Sequence, residues 1–259
     1  ATHNLQRAAE AAGGAFRFGR TVTAIQVEDN RVRGVSLDNG ETIHAPIVIN
    51  VAGPHSHKVN AMAGAQRDMT ITTRALRQEV VHVPSPEDFD FEHEGIVVSD
   101  SDISCYCRPE SGNHILVGSE DPQCDPREVV DPDDYSQAFS EQWTTQARRY
   151  AQRVPNLALP GKAQGVVDLY DVTEDWIPIY DRSCIDGYYM AIGTSGNQFK
   201  NAVAAGRLMA QLIDYCEAGN DHDNEPLQAR CKHIDRSIDM AVFSRKRSIN
   251  PDSSFSVLG

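Results

Sequence analysis

Residues 193–201 carry the combination best suited to holding a ligand. Gly193-Thr194-Ser195-Gly196-Asn197-Gln198-Phe199-Lys200-Asn201 joins two segments with different periodicity. The run Tyr188-Tyr189-Met190-Ala191-Ile192 is short, apolar and flanked by Gly187 and Gly193, which predicts a buried strand. Ala202, Val203, Ala205, Leu208, Met209, Leu212 and Ile213 recur at helical spacing. A strand, a small-residue loop and a helix start let backbone N–H groups approach a ligand, with the helix dipole behind them. An ordinary strand-to-helix turn has the same spacing. Tyr106 and Arg108 form a second candidate, two residues apart on a predicted strand and so on one face. Arg108 offers a planar fork for a carboxylate and Tyr106 an aromatic wall with a hydroxyl; a plain sheet-surface pair is the alternative. Gln78 and His82 are weaker cases of the same kind. His55 and His57 form an HxH without carboxylates or cysteines at ligand spacing, so they read as polar loop and not as a metal centre. Asp171, Glu174 and Asp175 read as a capping and turn cluster. Cys105 and Cys107 share one strand face and read as packing residues.

The elements that must position these groups belong to a chain of 259 residues, with 40% apolar residues and a formal charge of −13. That length can bury a large core. The spread-out acidic charge disfavours nucleic acid as a partner. No apolar run approaches the roughly 20 residues of a membrane helix. Nothing at the start reads as an export leader, so the expected location is the cytoplasm. Six cysteines are too few for a disulfide scaffold.

In order, Leu5, Ala8, Ala9 and Ala12 predict a short helix closed by Gly13-Gly14, and Ala15-Phe16-Arg17-Phe18 a strand. Residues 22–27, 32–37 and 41–44 predict a meander, with turns at Asp29-Asn30 and Asp38-Asn39-Gly40. The largely apolar run Ile47-Val48-Ile49-Asn50-Val51-Ala52-Gly53-Pro54 predicts a central parallel strand covered on both faces. Ala52-Gly53 closes its carboxyl end, where ligands sit in open α/β sheets. Residues 70–83 predict an antiparallel strand with one wet face, followed by short strands at 95–99, 103–108 and 114–118. A helix is expected after Asp131-Pro132-Asp133-Asp134, with Arg148, Arg149 and Arg153 near its end. The tail predicts a polar helix over 227–240, a basic surface patch at Arg245-Lys246-Arg247, and an apolar end, 253–259, able to dock on the body. The fold class is α/β with mixed α+β character.

The ordered segments "VINVAGPHS", "DVTEDWIPIYD" and "GYYMAIGTSGNQFKNAVAAGRLMAQLI", with the preceding meander, resemble the FAD-dependent amine and amino-acid oxidoreductases of the D-amino-acid oxidase superfamily. The sarcosine oxidase and glycine oxidase branch is closest. The resemblance implies an FAD-binding Rossmann-like domain (residues 1–69 and 169–216), an antiparallel or mixed-sheet substrate domain (70–168) and a C-terminal helix and tail (217–259). It implies oxidation of an amino acid or secondary amine to an imine, with hydride passing to FAD. Val22 is implied as an adenine-side backbone contact. Ala52, Gly53 and the loop Gly193, Thr194, Ser195, Gly196, Asn197, Gln198, Phe199 and Lys200 are implied at the cofactor, the loop on the pyrimidine side of the ring. Lys200 is implied as the partner of the substrate carboxylate, and Tyr106 and Arg108 as groups over the ring. Asn197-Gln198 stand where the sarcosine oxidase pattern has His-Gly. The family's amino-terminal GxGxxG, which seats the FAD pyrophosphate, occurs nowhere in this sequence. A missing amino-terminal segment or a partner chain is therefore expected to complete the FAD site. The alternatives are a flavin-free fragment or subunit and, more weakly, an NAD-dependent Rossmann enzyme.

Overall fold

The structure is a computed structural model and describes residues 1–257. Helix α1 (Thr2–Ala11) buries no residue. Strands β1 (Val22–Glu28), β2 (Arg31–Leu37) and β3 (Thr42–His44) form the antiparallel meander. Asp29 and Asn30 both have positive φ, 49° and 61°, the pair that a tight right-twisting hairpin needs. Residues 15–18, expected as a strand, are instead coil. Phe16 and Phe18 stack on each other at 5.6 Å, and among the described residues nothing pairs with their backbone.

Strand β4 (Val48–Asn50) and helix α2 (Ser56–Ala63) follow. The long strand β5 (Arg74–Pro84), the short helix α3 (Phe91–Glu94), β6 (Val98–Asp100), β7 (Cys105–Glu110), β8 (His114–Ser119) and β9 (Glu128–Val130) come next. Helix α4 (Glu141–Ala151) leads to β10 (Gly165–Val172), β11 (Ile179–Arg182) and β12 (Tyr188–Ile192), and helix α5 (Ala202–Glu217) closes this part. The largest sheet runs β10-β5-β8-β7-β6, with β9 pairing β5, and is antiparallel at every pairing. Residue 168, the anticipated domain boundary, lies inside β10.

The faces of β5 divide by parity. Val81 and Val83 join Ile115, Val117, Cys105 and Cys107 in a core under α4, whose Trp143, Ala147 and Tyr150 descend at helical spacing. The Tyr150 hydroxyl stands 3.2 Å from Cys107 Sγ, so the two cysteines pack as expected. Gln78 and His82 stand on the opposite face, half-buried. α4 starts ten residues after Asp131, with Ser140 as its N-cap. The Asp131–Asp134 stretch cannot start the helix: Asp131 and Asp134 close a bridge, and Lys58 holds Asp131 and Asp133 at 2.5 Å and 2.6 Å.

A smaller sheet runs β11-β12-β4, with β12 antiparallel to β11 and parallel to β4. Tyr188, Met190, Ile192 and Ile179 are fully buried in it. The expectation for β4 is corrected here. The strand is parallel, but among the described residues it stands at the sheet edge, with Ile49 and Val51 exposed. An apolar run signals two covered faces, yet this chain supplies a neighbour on one side only.

The tail also departs from expectation. Residues 227–240 hold a hairpin of β13 (Gln228–Arg230) and β14 (Ser237–Asp239), not a helix. The four-residue spacing of Ile234, Ile238 and Val242 suggested a helix, but Ile234 and Val242 are exposed. Alternation decides instead: Ala229 and Met240 are fully buried against Met209 and Leu212 of α5. Nor is the basic triplet a surface patch. Arg245 is 1% exposed and joins Asp68 at 2.5 Å, Asp223 at 2.9 Å and Asp181 at 3.0 Å, while Arg247 pairs Asp175 at 2.7 Å. Asp181 and Asp175 are buried carboxylates, and these arginines supply their counter-charge. Lys246 alone stays at the surface, beside Asp223. Phe255 and Val257 pack on Leu76, Val172 and Trp176, so the apolar end docks as expected as far as it is described; Leu258 and Gly259 lie outside the described residues.

Arg245→Met is expected to destabilise the fold by about 3–5 kcal/mol, because it strands the Asp181 charge in the interior. Urea unfolding of the two proteins checks this; a loss under about 1 kcal/mol would mean the network contributes little.

Candidate functional site

The carboxyl ends of β4 and β12 open into a cavity of about 700 Å³. Its walls are Ile49, Val51, Gly53 and Pro54 on the β4 side, Tyr170 and Asp171 from β10, the loop after β12, and the first turns of α5. At two of its glycines there is open space: a Cβ on Gly53 or Gly206 would meet no atom within 4 Å. A third glycine is needed for contact. Gly196 has φ +76°, and a Cβ there would lie 2.6 Å from the Tyr170 ring.

Tyr170 ties the cavity to the large sheet. Its hydroxyl stands 3.4 Å from that of Tyr106, and the Tyr106 ring covers Gly118, where a Cβ would come within 2.2 Å of it. Gly118, Tyr106, Tyr170 and Gly196 thus form one stacked path from β8 to the loop. Burial raises the pKa of both phenols. Beside them Gln78 donates to Asp121 Oδ1 at 2.8 Å, and burial pushes Asp121 up to about 6.

The backbone of the loop is largely committed within the protein. Gly193 N–H donates to Asp171 Oδ2 at 2.6 Å, and the Thr194 amide also acts on that carboxylate. Ser195 N–H donates to the Asp171 carbonyl at 2.7 Å, and Asn197 N–H to the Thr194 carbonyl at 3.1 Å. Of the backbone N–H groups expected to approach a ligand, those of Gly193, Ser195 and Asn197 are thus taken up by the protein itself. Among the described residues, Gly196 N–H meets no protein acceptor. Gly193 and Ser195 are buried behind the wall; Thr194, Gly196, Gln198 and Phe199 line the cavity. The carboxamide of Asn197, also buried, accepts from Gln198 Nε2.

The other anticipated residues are spread more widely. Gly53 lines the cavity, whereas Ala52 is outside the lining and donates its N–H to Asn50 Oδ1 at 3.0 Å. Val22 opens β1 and packs with the core around Ile25 and Val32. Lys200 is exposed on the 3-10 turn Gln198–Asn201, outside the lining, with no hydrogen-bond partner in the described residues. Arg108 is exposed and 3.2 Å from Glu110, so Tyr106 joins the path and Arg108 does not. His55 pairs Asp133 at 2.8 Å. Nothing in the spacing singled out Tyr170; the one signal was an aromatic residue just before the Asp171 motif. Asp171 caps amides as its type suggested, but on a loop 22 residues away, which no local pattern shows.

The residues fit one end of a flavin. An apolar, glycine-walled slot beside a tyrosine suits a flat aromatic ring. No lysine or arginine lines it among the described residues, and GxGxxG is absent, so nothing here seats a pyrophosphate.

Burial pushes Asp171 up to about 7, against its two amide donors and Thr73, which pull the other way. Its unfolded value is about 4. The folded state therefore binds the proton more tightly, and stability falls as pH rises from about 4 to about 7, by roughly 3–4 kcal/mol at most. Asp171→Asn keeps an acceptor for Gly193 without the charge. Urea midpoints across that window should decline less steeply in the variant; equal slopes would contradict the assignment.

A sequence model of the family described as FAD dependent oxidoreductase (DAO) matches residues 1–212. The fold is shared with L-proline dehydrogenase from P. horikoshii at TM-score 0.68 and 19% identity, over 92% of this chain and 56% of that one. Glycine oxidase from Geobacillus kaustophilus gives 0.63 and 22%, over 89% and 56%. Fructosamine oxidase (Amadoriase II) from Aspergillus fumigatus gives 0.56 and 15%, over 74% and 47%. The chain thus spans little more than half of the first two structures. No curated protein sequence matches it. With most of its length matched by the family's sequence pattern and its fold shared with these structures, the chain belongs to the DAO family of FAD-dependent oxidoreductases.

Proposed function

We propose that this chain carries the ring side of a flavin site and serves in the FAD-dependent oxidation of an amino acid or secondary amine to the imine. The observation that carries the proposal is the glycine-walled cavity between Tyr170 and the loop after β12, in a chain of an FAD-dependent family. The substrate is of the sarcosine, glycine, proline or D-amino-acid type; the names of the dehydrogenase of L-proline and the oxidase of glycine support that class. Bound FAD supplies a two-electron acceptor for the hydride on the carbon next to nitrogen.

Each part of the chain has a task in this reading. Residues 1–69 and 169–216 form the cofactor side and 70–168 the substrate side. Gly53, Thr194, Gly196, Gln198 and Phe199 would hold the ring, and Ala52 and Val22 would lie along the rest of the cofactor. Tyr106 and Tyr170 would close the substrate face and keep water from it. Lys200, which has no hydrogen-bond partner among the described residues, would meet a carboxylate, and Arg108 would serve as a second cation.

The pyrophosphate end calls for a GxGxxG unit from an amino-terminal segment or a partner chain. The exposed edge of β4 and the exposed Ile49, Val51, Phe199 and Val203 offer that unit a surface. The same observations favour a second reading, in which the chain is a subunit that does no catalysis alone. The proposed location is the cytoplasm.

The visible spectrum of the purified chain with added FAD tests the proposal. A bound flavin band that sarcosine, glycine, proline or a D-amino acid bleaches is expected once a GxGxxG unit is supplied; no band under either condition would sink it. In that assembled enzyme, Lys200→Met should raise the amino-acid KM about 10–100-fold with a smaller change in kcat. An unchanged KM would remove Lys200 as the carboxylate partner.

A further inference from the structure

Among the described residues Asp171 is the one acid in the cavity wall, and only 2% of its surface is exposed. Its Oδ2 and its carbonyl hold Gly193 and Ser195. Its Oδ1 is buried without a partner, and so is Thr73 Oγ1. Thr73 belongs to the same corner: a Cβ on Gly193 would lie 3.4 Å from its methyl group. A Thr73 hydroxyl turned to an ionised Oδ1, or a protonated Oδ1 turned to Thr73 Oγ1, would pair these two oxygens, so the corner accommodates the carboxyl with or without its proton. The loop so held contains Ser195 at φ 49° and Gly196 at φ 76°. A left-handed serine is strained and persists because its surroundings fix it.

The groups acting on the Asp171 proton are the Gly193 and Thr194 amides and the Thr73 hydroxyl; no charged side chain contributes. Tyr170 and Tyr180 are the other titratable groups on the cavity, and burial raises both. When ionised, Asp171 is therefore a negative charge without a counter-cation, directly behind the loop. A second negative charge in the cavity would meet it through a medium of low dielectric.

We propose that Asp171 is the positioning residue of the 193–198 loop, and that it takes up a proton when an anionic ring occupies the cavity. This rests on the reading of the cavity as a flavin-ring site, since the two-electron-reduced ring is the anion in question. Asp171 touches the loop and not the reacting atoms. It acts through the shape of the loop and through the proton it holds.

Two measurements on the full chain test this, with lumiflavin, which has no phosphate, as the probe. The first needs no flavin: amide shifts of Gly193 and Ser195 are followed from about pH 5 to about pH 9. Gly193 should titrate in the wild type and stay flat in Asp171→Asn, and Asp171→Ala should speed hydrogen exchange at Ser195. A flat Gly193 in the wild type, or unchanged exchange in Asp171→Ala, would overturn the positioning role. The second records proton uptake on binding reduced lumiflavin above neutral pH. Uptake of up to one proton per site in the wild type and none in Asp171→Asn is expected. Equal uptake in both would overturn this proposal and leave the flavin reading standing. Failure to bind lumiflavin in either redox state would overturn the ligand half of the proposal together with that reading.

Discussion

Asp171, Asp175 and Asp181 are buried within one short stretch, and each fastens a different part of the chain. Asp171 takes the amides of the loop after β12, Asp175 takes Arg247, and Asp181 takes Arg245 together with the Ser244 hydroxyl. A carboxylate removed from water must find donors, and here the donors lie far away in sequence. The stretch from β10 to β11 thereby fixes where the loop, the tail and the two sheets meet. The cavity lies where those pieces meet, and three of its lining residues are glycine.

The same satisfaction rule changes how the loop works. A glycine-rich strand-to-helix turn invites the idea of a nest of free amides aimed at negative charge. Here Asp171 and the Thr194 carbonyl occupy most of those amides. The loop is better described as a rigid wall, with Gly196 flat against Tyr170 and an acid behind it. On the proposed reading, a ligand would meet the shape of this wall and the acid behind it more than a ring of donors.

Elements whose pattern is local were legible in the sequence. The meander followed from alternation and the Asp29-Asn30 turn, β12 and α5 from the change of period, and the Cys105/Cys107 packing from strand parity. Family membership rested on ordered motifs and needed no single decisive residue. What local pattern could not show was pairing across the chain. Arg245 looked like surface charge because its three acids lie far off in sequence, and Tyr170 looked unremarkable because its partners are Gly196 and Tyr106. The tail was misassigned because a four-residue spacing and a two-residue alternation coexisted, and burial against α5 chose the second. β4 reads as a covered strand by composition, yet this chain covers one side of it.

The central claim is that the cavity after β12 receives a flavin ring. Gly206 lies on its α5 wall with open space where a side chain would stand, so Gly206→Phe fills the cavity while suiting the helix. Quenching of lumiflavin fluorescence by the wild-type chain and by this variant compares an open site with a plugged one. Saturable quenching by the wild type and its loss in a folded Gly206→Phe is the expected result. Equal quenching by both proteins would contradict the placement of the ring in this cavity.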